Sequence, residues 1–214
     1  MDALVSQDIL ENSDWEDLKT TCFEEKYQLR LVVDDHMFLL ATPTSENSSS
    51  LCKDTLVFHR GWDQNQIITH KNKEEEDEEF WSLGTFHLED IAGAHDSVAN
   101  LGSMDGDDYH VVFNNCGNYI LEFFAFLDIE PTPEMMKFAA SRVANHYDGS
   151  LIDELVIAMQ VSSVDRTKMT DEQIIIQAFE YGIAEMKLNR SRLDQEDQGT
   201  RERRTGEGDG RVAF

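Results

Sequence analysis

The sequence predicts an α+β fold, in which a small antiparallel sheet packs on a buried helix that carries a cysteine, and a helical extension follows. Segments rich in β-branched and aromatic residues lie in the first part of the chain. The run Tyr119–Leu127 contains one charged residue, Glu122, and is long enough to be a core helix. Beyond Pro131, apolar residues recur at helical spacing. Strands followed by helices are typical of α+β proteins.

Three strands are predicted in the N-terminal part. Tyr27–Val33 alternates at first and then becomes apolar, which predicts the first strand. His36–Thr42 is almost continuously apolar and is therefore expected at the centre of the sheet. Asp54–Trp62 predicts a third strand, with His59 near its end. The second and third strands form a predicted hairpin, which would bring His36 and His59 onto one sheet.

The middle of the chain contains a charge run, residues 71–79, with acidic side chains at every position from Glu74 to Glu79. Such runs are usually solvated loops, and the alternative is an acidic surface that meets a basic partner. Phe86–His95 is predicted as a short helix. Tyr109–Phe113 is predicted as a strand that ends at an Asn-Asn turn.

Cys116 lies where this strand turns into the apolar core helix. Asn115 is the expected N-cap, which places Cys116 in the first helical turn. The N–H groups and the positive dipole end at a helix N-terminus favour a thiolate over a thiol. Gly117 leaves room for a substrate beside the sulfur and exposes backbone N–H groups as oxyanion donors. The alternative is that Cys116 is a small buried residue without reactivity.

The C-terminal half is predicted to be helical. Thr132 caps a helix that continues to about His146, and Leu151–Met159 and Thr170–Leu188 are two further helices. Ser191–Phe214 is polar and is predicted to be disordered. The chain therefore divides into four parts: an acidic lead-in at 1–24, a core at 25–130 with the acidic insert 71–79, a helical extension at 131–190 and a tail at 191–214.

The chain is strongly acidic, with 43 acidic and 18 basic residues and a net charge of −25. This charge argues against binding to nucleic acid, which depends on Lys and Arg, and against docking to anionic membranes. No apolar run approaches the roughly 18 residues of a transmembrane helix, so we expect no integral membrane segment, and no signal peptide is visible. The three cysteines show neither metal-ligand spacing nor a CxxC motif, which fits a reducing compartment. We therefore expect the protein in the cytoplasm or the nucleus.

Nucleophilic catalysis by a cysteine needs a base within hydrogen-bond reach and a group that orients the base. Among the seven histidines, His36 is the expected base, because a central strand would hold it rigidly. His59 on the neighbouring strand is the expected orienting group, and Asp35, Asn114 and Asn115 are the other candidates. The alternative for each histidine is a purely structural role. No zinc spacing and no phosphate-binding glycine motif is present, so we expect neither a metal nor a cofactor.

Three motifs follow one another along the chain. A histidine opens the predicted strand His36–Leu40, and a second histidine ends the next strand, Leu56–His59. In Tyr109–Cys116, a predicted strand is followed by two asparagines and then by the cysteine. This order resembles the circularly permuted papain-like (NlpC-type) thiol hydrolase superfamily, which includes the lecithin retinol acyltransferase-like proteins and the PPPDE-type deSUMOylating isopeptidases. The resemblance covers roughly residues 27–130. It implies Cys116 as nucleophile, His36 as base and, as in the acyltransferase branch, His59 as third member.

The residues after the cysteine are closer to the isopeptidase branch. Gly117-Asn118-Tyr119 stands where the acyltransferases usually have Glu-His-Phe, and Phe126–Pro131 is similar to the Pro-containing segment of the isopeptidases. We therefore expect a thiol hydrolase or acyltransferase that acts on a peptide, an isopeptide or a thioester. Two alternatives remain. One is a non-catalytic interaction module on the same fold, whose protein partner binds at Thr170–Leu188 and the acidic surface, and the other is a phospholipid acyltransferase.

Overall fold

The structure, a computed structural model, describes residues 10–33, 37–45, 50–60, 66–71, 79–99, 116–146, 153, 168–184 and 187–188. In chain order, the elements in these ranges are α1 (Asn12–Cys22), β1 (Lys26–Val33), β2 (Met37–Pro43), a 3-10 helix (Ser50–Lys53), β3 (Thr55–Arg60), β4 (Gln66–Lys71), β5 (Phe80–His87), α2 (Leu88–Ala99), α3 (Cys116–Phe126), α4 (Pro133–His146) and α5 (171–184). The predicted α+β class is confirmed.

The strands form one antiparallel sheet in the order β4-β3-β2-β1-β5. The predicted hairpin is present, because β2 pairs with β3 and Leu39 lies opposite Phe58. β2 also pairs with β1 along its whole length. β2, the middle strand, is buried from Met37 to Ala41, in line with its nearly continuous apolar run. β1 alternates between buried and less buried residues as far as Arg30 and is buried from Leu31 to Val33.

Each face of the sheet has its own apolar cluster, because successive side chains of a strand point to opposite faces. One face carries Leu31, Leu39 and Phe58 and packs against the helices; we call it the helix face. On it, Phe58 contacts Phe123 of α3, with ring centroids 5.7 Å apart. The other face, which we call the far face, carries a smaller cluster of Val32, Phe38, Leu40 and Val57.

The two outer strands, β4 and β5, are not evident in the sequence. β4 mixes polar and apolar residues and joins the sheet through its pairing with β3. β5 begins directly after the acidic run, contains Gly84 at a φ of 118°, and pairs with β1 across a register shift. The predicted helix Phe86–His95 is therefore wrong at its start. Phe86 and His87 belong to β5, and α2 begins at Leu88.

The two described helices of the C-terminal part, α4 and α5, begin where the sequence predicts them. The Thr132 hydroxyl accepts a hydrogen bond from the backbone N–H of Met135 at 3.2 Å, directly before Pro133 opens α4. At the start of α5, Thr170 and Gln173 satisfy each other's backbone N–H groups with their side chains, at 2.9 and 3.3 Å. This reciprocal arrangement is a capping box, and it fixes the position of α5 along the chain.

Several predicted features lie outside the described residues. These are His36, Asp35, Asn114, Asn115, the strand Tyr109–Phe113, all of Leu151–Met159 except Asp153, most of the acidic insert, and the tail Ser191–Phe214.

A disulfide joins Cys22 at the end of α1 to Cys52 in the 3-10 helix. Both residues are buried. The two cysteines are 30 residues apart in sequence, so no local sequence motif indicates that they pair. They meet because α1 packs against the 3-10 helix. The sequence-based expectation of a reducing compartment rested on the absence of a pairing signature. The disulfide removes that premise, since structural disulfides are typical of oxidising compartments.

Replacing both Cys22 and Cys52 with alanine is expected to lower the free energy of unfolding by about 3–4 kcal/mol, because the cross-link closes a loop of roughly 30 residues in the unfolded chain. Urea unfolding followed by circular dichroism measures the change. Thiol reductant should shift the midpoint of the wild type and leave that of the double variant unchanged. A wild-type midpoint that reductant does not move would contradict a stabilising disulfide.

Candidate active site

Cys116 is the first residue of α3, as its expected place in the first helical turn requires. The helix is held against the sheet by Tyr119, Ile120, Phe123 and Phe124, which recur at helical spacing and are buried on the helix face. Cys116 is 8% exposed and belongs to the same core cluster. It takes no part in the disulfide, so it keeps its thiol.

The position of this thiol at a helix start has a chemical consequence. The first backbone N–H groups of an α-helix have no partner within the helix, and they point toward its N-terminal end. Together with the helix dipole they stabilise a negative charge there. Cys116 and Gly117 therefore lie where a thiolate, or the oxyanion formed when it attacks a carbonyl, is electrostatically favoured.

An apolar cleft opens next to this first turn. It is small and shallow: its cavity volume is about 20 Å³, about the space that one water molecule needs, and it opens to solvent. Gly117 forms part of its wall, so the cleft reaches the residue that follows the nucleophile candidate. The walls come from β1, β2, α3, the linker after α3, α4 and α5, through Leu31, Met37, Gly117, Ile120, Leu121, Phe124, Pro131, Met135, Met136, Ala139 and Phe179. We call it the Gly117 cleft.

The predicted base, His36, lies outside the described residues, but its chain neighbour is described. Met37, the first residue of β2, lines the Gly117 cleft. Cys116 is likewise the chain neighbour of Gly117, which lines the same cleft. Two described residues of the cleft wall, Met37 and Gly117, are therefore the chain neighbours of the two residues predicted to form the dyad.

His59, the predicted third member, lies on the far face of the sheet. In β3 it follows Phe58, which packs on α3, and it shares the side of Val57, which belongs to the far-face cluster. Cys116 belongs to the core of the helix face. His59 is 7% exposed and is therefore enclosed within the fold. The structure does not bring His59 and Cys116 to the same side of the sheet.

The sequence analysis gave no role to His95, which is a buried polar residue close to α3. It lies on α2, 7% exposed, and its Nδ1 is 2.9 Å from the Tyr119 hydroxyl of α3. Burial lowers the pKa of His95 from 6.5 to about 4, so the ring is neutral at pH 7. Burial also raises the pKa of Tyr119 well above 10. Helical spacing offered a signal for His95, since it falls on the face of α2 that Leu88, Ile91 and Val98 bury.

Aromatic and charged groups surround this pair. The His95 ring contacts Trp15 of α1 and Phe58 of β3, with centroids 5.8 and 5.6 Å away. Next to His95 in α2, the Asp96 carboxylate accepts hydrogen bonds from Lys19 Nζ at 2.8 Å and from Trp15 Nε1 at 3.3 Å. The cluster therefore connects α1, α2 and β3 to Tyr119 in the first turn of α3.

Within the part of the chain that the structure describes, no group of three or more His, Cys, Asp or Glu side chains is arranged to hold a metal ion. Among the described helices, none is long and apolar enough to cross a membrane. In comparisons with known proteins, no family model, no curated protein and no solved structure matches the chain.

Proposed function

We propose that this chain is a cysteine-dependent acyl-transfer enzyme, a thiol hydrolase or acyltransferase, with Cys116 as nucleophile and His36 as base. One observation carries the proposal: a cysteine thiol outside the disulfide opens a buried helix beside an apolar cleft lined by both Gly117 and Met37. Gly117, the residue that follows Cys116, forms part of the wall of this cleft. His36, the chain neighbour of Met37, is the proposed proton acceptor.

The proposed reaction has two steps. His36 takes the thiol proton of Cys116, the sulfur attacks the carbonyl carbon, and the N–H groups at the start of α3 stabilise the oxyanion. The bond to the leaving amine or thiol then breaks, and that group takes the proton from His36. In the second step water, or another acceptor, gives its proton to His36 and displaces Cys116 from the acyl group. A peptide, an isopeptide or a thioester is the substrate class that this sequence of steps accommodates.

The group that orients His36 is not His59 in this proposal, because β3 places His59 on the far face of the sheet. Asp35, Asn114 and Asn115 remain the candidates, and all three are outside the described residues. A cysteine–histidine dyad can also act without a third member when packing fixes the histidine ring.

A second candidate function is a non-catalytic protein-interaction module. The burial of Cys116 favours it, and so do large apolar side chains that are exposed on the C-terminal part: Phe126, Tyr181 and Leu188. The third candidate, a phospholipid acyltransferase, is disfavoured by the net charge of −25, which repels anionic lipid surfaces.

The proposed function includes no cytoplasmic or nuclear location, because a buried disulfide such as Cys22–Cys52 is typical of proteins in oxidising compartments.

The proposed function is tested by measuring the hydrolysis of a peptide thioester through the thiol that the reaction releases. Wild-type protein should form a covalent acyl adduct on Cys116 that intact mass spectrometry detects, and then turn over. Cys116→Ser should lower the rate by at least about 10³-fold without unfolding the protein. Turnover that Cys116→Ser leaves unchanged would exclude Cys116 as the nucleophile, and the absence of both adduct and turnover with thioester, isopeptide and ester probes would favour the interaction module.

A further inference from the structure

We propose that the outer edge of β5 binds an extended segment of a partner protein, which adds to the sheet as a further strand and carries basic residues at both of its ends. We call this surface the β5 edge: the backbone groups of Phe80–His87 that point away from β1. The proposal goes beyond the function proposed above, because it assigns a second surface and the chemistry of its partner.

β5 is the last strand of the described sheet. Among the described strands its one neighbour is β1, to which it pairs in the antiparallel direction. None of its eight residues is buried, whereas β3 is buried from Thr55 to Arg60. In a strand at the end of a sheet, about half of the backbone N–H and C=O groups point away from the neighbouring strand. On this side of β5 they offer hydrogen bonds to another strand.

β5 lacks the side chains that commonly protect the edge of a sheet. Lysine, other charged residues and proline on outer strands prevent pairing with further chains. The sequence of β5, FWSLGTFH, contains no proline and no lysine, arginine, aspartate or glutamate, although 29% of the chain is charged. β4, the outer strand on the other side of the described sheet, ends with Lys71. The register of β5 with β1 shifts between Ser82 and Gly84, so a bound strand meets two short regular stretches.

The side chains of β5 indicate which residues the partner needs. Trp81 and Phe86 are partly buried and pack against the core of the helix face. Trp81 contacts Phe138 of α4, with ring centroids 5.9 Å apart. Phe80 is 43% exposed, and the Arg30 guanidinium carbon lies 4.4 Å from the centre of its ring. An adjacent strand with β-branched or other apolar residues would cover the exposed parts of these rings.

Acidic side chains flank the His87 end of the β5 edge, and hydrogen bonds of the backbone hold their segments there. His87 Nδ1 is 2.9 Å from the backbone oxygen of Glu24. The backbone N–H of Glu89 donates to the backbone oxygen of the residue before Glu24, at 3.1 Å. Glu24, Glu89 and Asp90 are exposed. Lys26, which lies opposite His87 in β1, balances part of this negative charge.

The Phe80 end of the β5 edge is acidic too. Glu79 directly precedes Phe80, and its side chain is 72% exposed. Its carboxylate is 2.9 Å from Arg142 Nη1 of α4, so this one charge is balanced. The sequence has five more acidic residues, Glu74–Glu78, immediately before Glu79. Because each residue of chain spans at most about 3.6 Å, these charges stay within roughly 22 Å of Phe80.

The charges at the two ends decide which partner fits the β5 edge. A second copy of this chain, paired through its own β5, would bring acidic ends together in either direction, which is unfavourable. Nucleic acids and anionic membranes have the same sign of charge as the chain, whose net charge is −25. A strand with lysine or arginine at both ends is attracted whichever way it runs. The partner is therefore a protein segment in which β-branched or other apolar residues lie between basic ones.

Fluorescence anisotropy tests the proposal with a fluorescein-labelled nonapeptide, in which alternating valine and threonine residues lie between two pairs of lysines. The peptide should bind saturably, and replacing its lysines with glutamates should abolish binding. Methylating the backbone nitrogens of two adjacent central residues should weaken binding at least about tenfold, because backbone hydrogen bonds are lost. Successive N–H groups of a strand point to opposite sides, so this change blocks both edges of the peptide and leaves its charge unaltered.

Hydrogen exchange measured by mass spectrometry locates the bound peptide. Backbone amides in Phe80–His87 should exchange more slowly when the peptide is present, because outward-facing N–H groups become hydrogen-bonded. Gln66–Lys71, the outer strand on the other side of the described sheet, is the internal control and should be unaffected. Slower exchange in β4 alone, or no change in β5, would overturn the proposal.

A pair of variants tests the contribution of charge. Glu89→Gln with Asp90→Asn should weaken binding at least about threefold at low salt, because it removes two negative charges at the His87 end. The matched control is Glu11→Gln with Asp14→Asn, which gives the same change in net charge at exposed residues of another helix start. The control residues lie at the far end of α1, which has 11 residues and is therefore about 16 Å long. Unchanged urea midpoints would show that both variants are folded.

The results are independent of the proposed catalytic role of Cys116. Because Cys116 lies on α3 and not on β5, Cys116→Ser should bind the peptide with the affinity of the wild type. Equal affinity for the methylated and unmethylated peptides would overturn strand addition. Equal losses of affinity in the two double variants would overturn the role of the acidic end.

Discussion

Replacing His36 with glutamine is expected to lower the rate of thioester hydrolysis by about 10²–10⁴-fold, which is the usual contribution of a general base. Glutamine keeps the approximate size and polarity of the side chain but cannot take the proton of Cys116. Because the nucleophile and the cleft are unchanged, the KM of the substrate should change much less than kcat. Steady-state kinetics with a peptide thioester measures both constants.

His59→Gln is the matched control for this prediction. Its side chain lies on the far face of the sheet, so its kcat should stay within about threefold of wild type at a temperature where both proteins are folded. A large loss of kcat in His59→Gln, together with an unchanged urea midpoint, would contradict the exclusion of His59 from the mechanism. Full activity of His36→Gln would contradict the assignment of the base.

Lowering the pH from about 7 to about 4 is expected to destabilise the protein by up to about 3 kcal/mol through His95 alone. Burial lowers the pKa of His95 from 6.5 to about 4 in the folded protein. The unfolded chain therefore binds a proton near pH 6.5 that the folded protein does not yet bind. The stabilising contribution is complete above pH 6.5 and is lost as the pH falls toward 4. Asp96 favours the protonated ring and Lys19 opposes it, but both effects are smaller than that of burial.

His95→Phe isolates this contribution. Phenylalanine keeps an aromatic ring beside Trp15 and Phe58, but it does not titrate and leaves the Tyr119 hydroxyl without its partner. The variant should be less stable at pH 7, by about 1–3 kcal/mol, and the difference from wild type should shrink as the pH falls from 6.5 to 4. Urea unfolding at several pH values measures this difference, in which the contributions of the many carboxylates cancel. A difference that is independent of pH would contradict a neutral buried His95.

The sequence predicts the parts of the fold whose signals are local. β1, β2 and β3 have apolar runs, and α3, α4 and α5 begin at the expected positions because capping and apolar spacing are read within a few residues. β4 and β5 are missed because outer strands have one partner each and need no continuous apolar run. The boundary at Leu88 is also missed, since the polar start of α2 follows β5 directly.

The candidate site divides in the same way. The place of Cys116 at a helix start follows from a turn signal and an apolar run, both of which are local. The Gly117 cleft depends on how Met37, Leu121, Met135 and Phe179 come together from four elements, which no spacing in the sequence reveals. The side of the sheet on which His59 lies depends on strand register, because a shift of one residue reverses every side chain. The disulfide could not be predicted from the spacing of its cysteines either, because Cys22 and Cys52 meet only through the packing of α1 against the 3-10 helix.

The central claim is that Cys116 is an activated thiol, and the rate of its alkylation by iodoacetamide as a function of pH tests that claim most directly. Because Cys22 and Cys52 are joined in a disulfide, labelling without reductant reports on Cys116. We predict fast labelling with a midpoint well below the roughly 8.5 of an ordinary thiol, and a midpoint shifted upward in His36→Gln. Slow labelling with an ordinary midpoint that is the same in both proteins would contradict the proposed dyad.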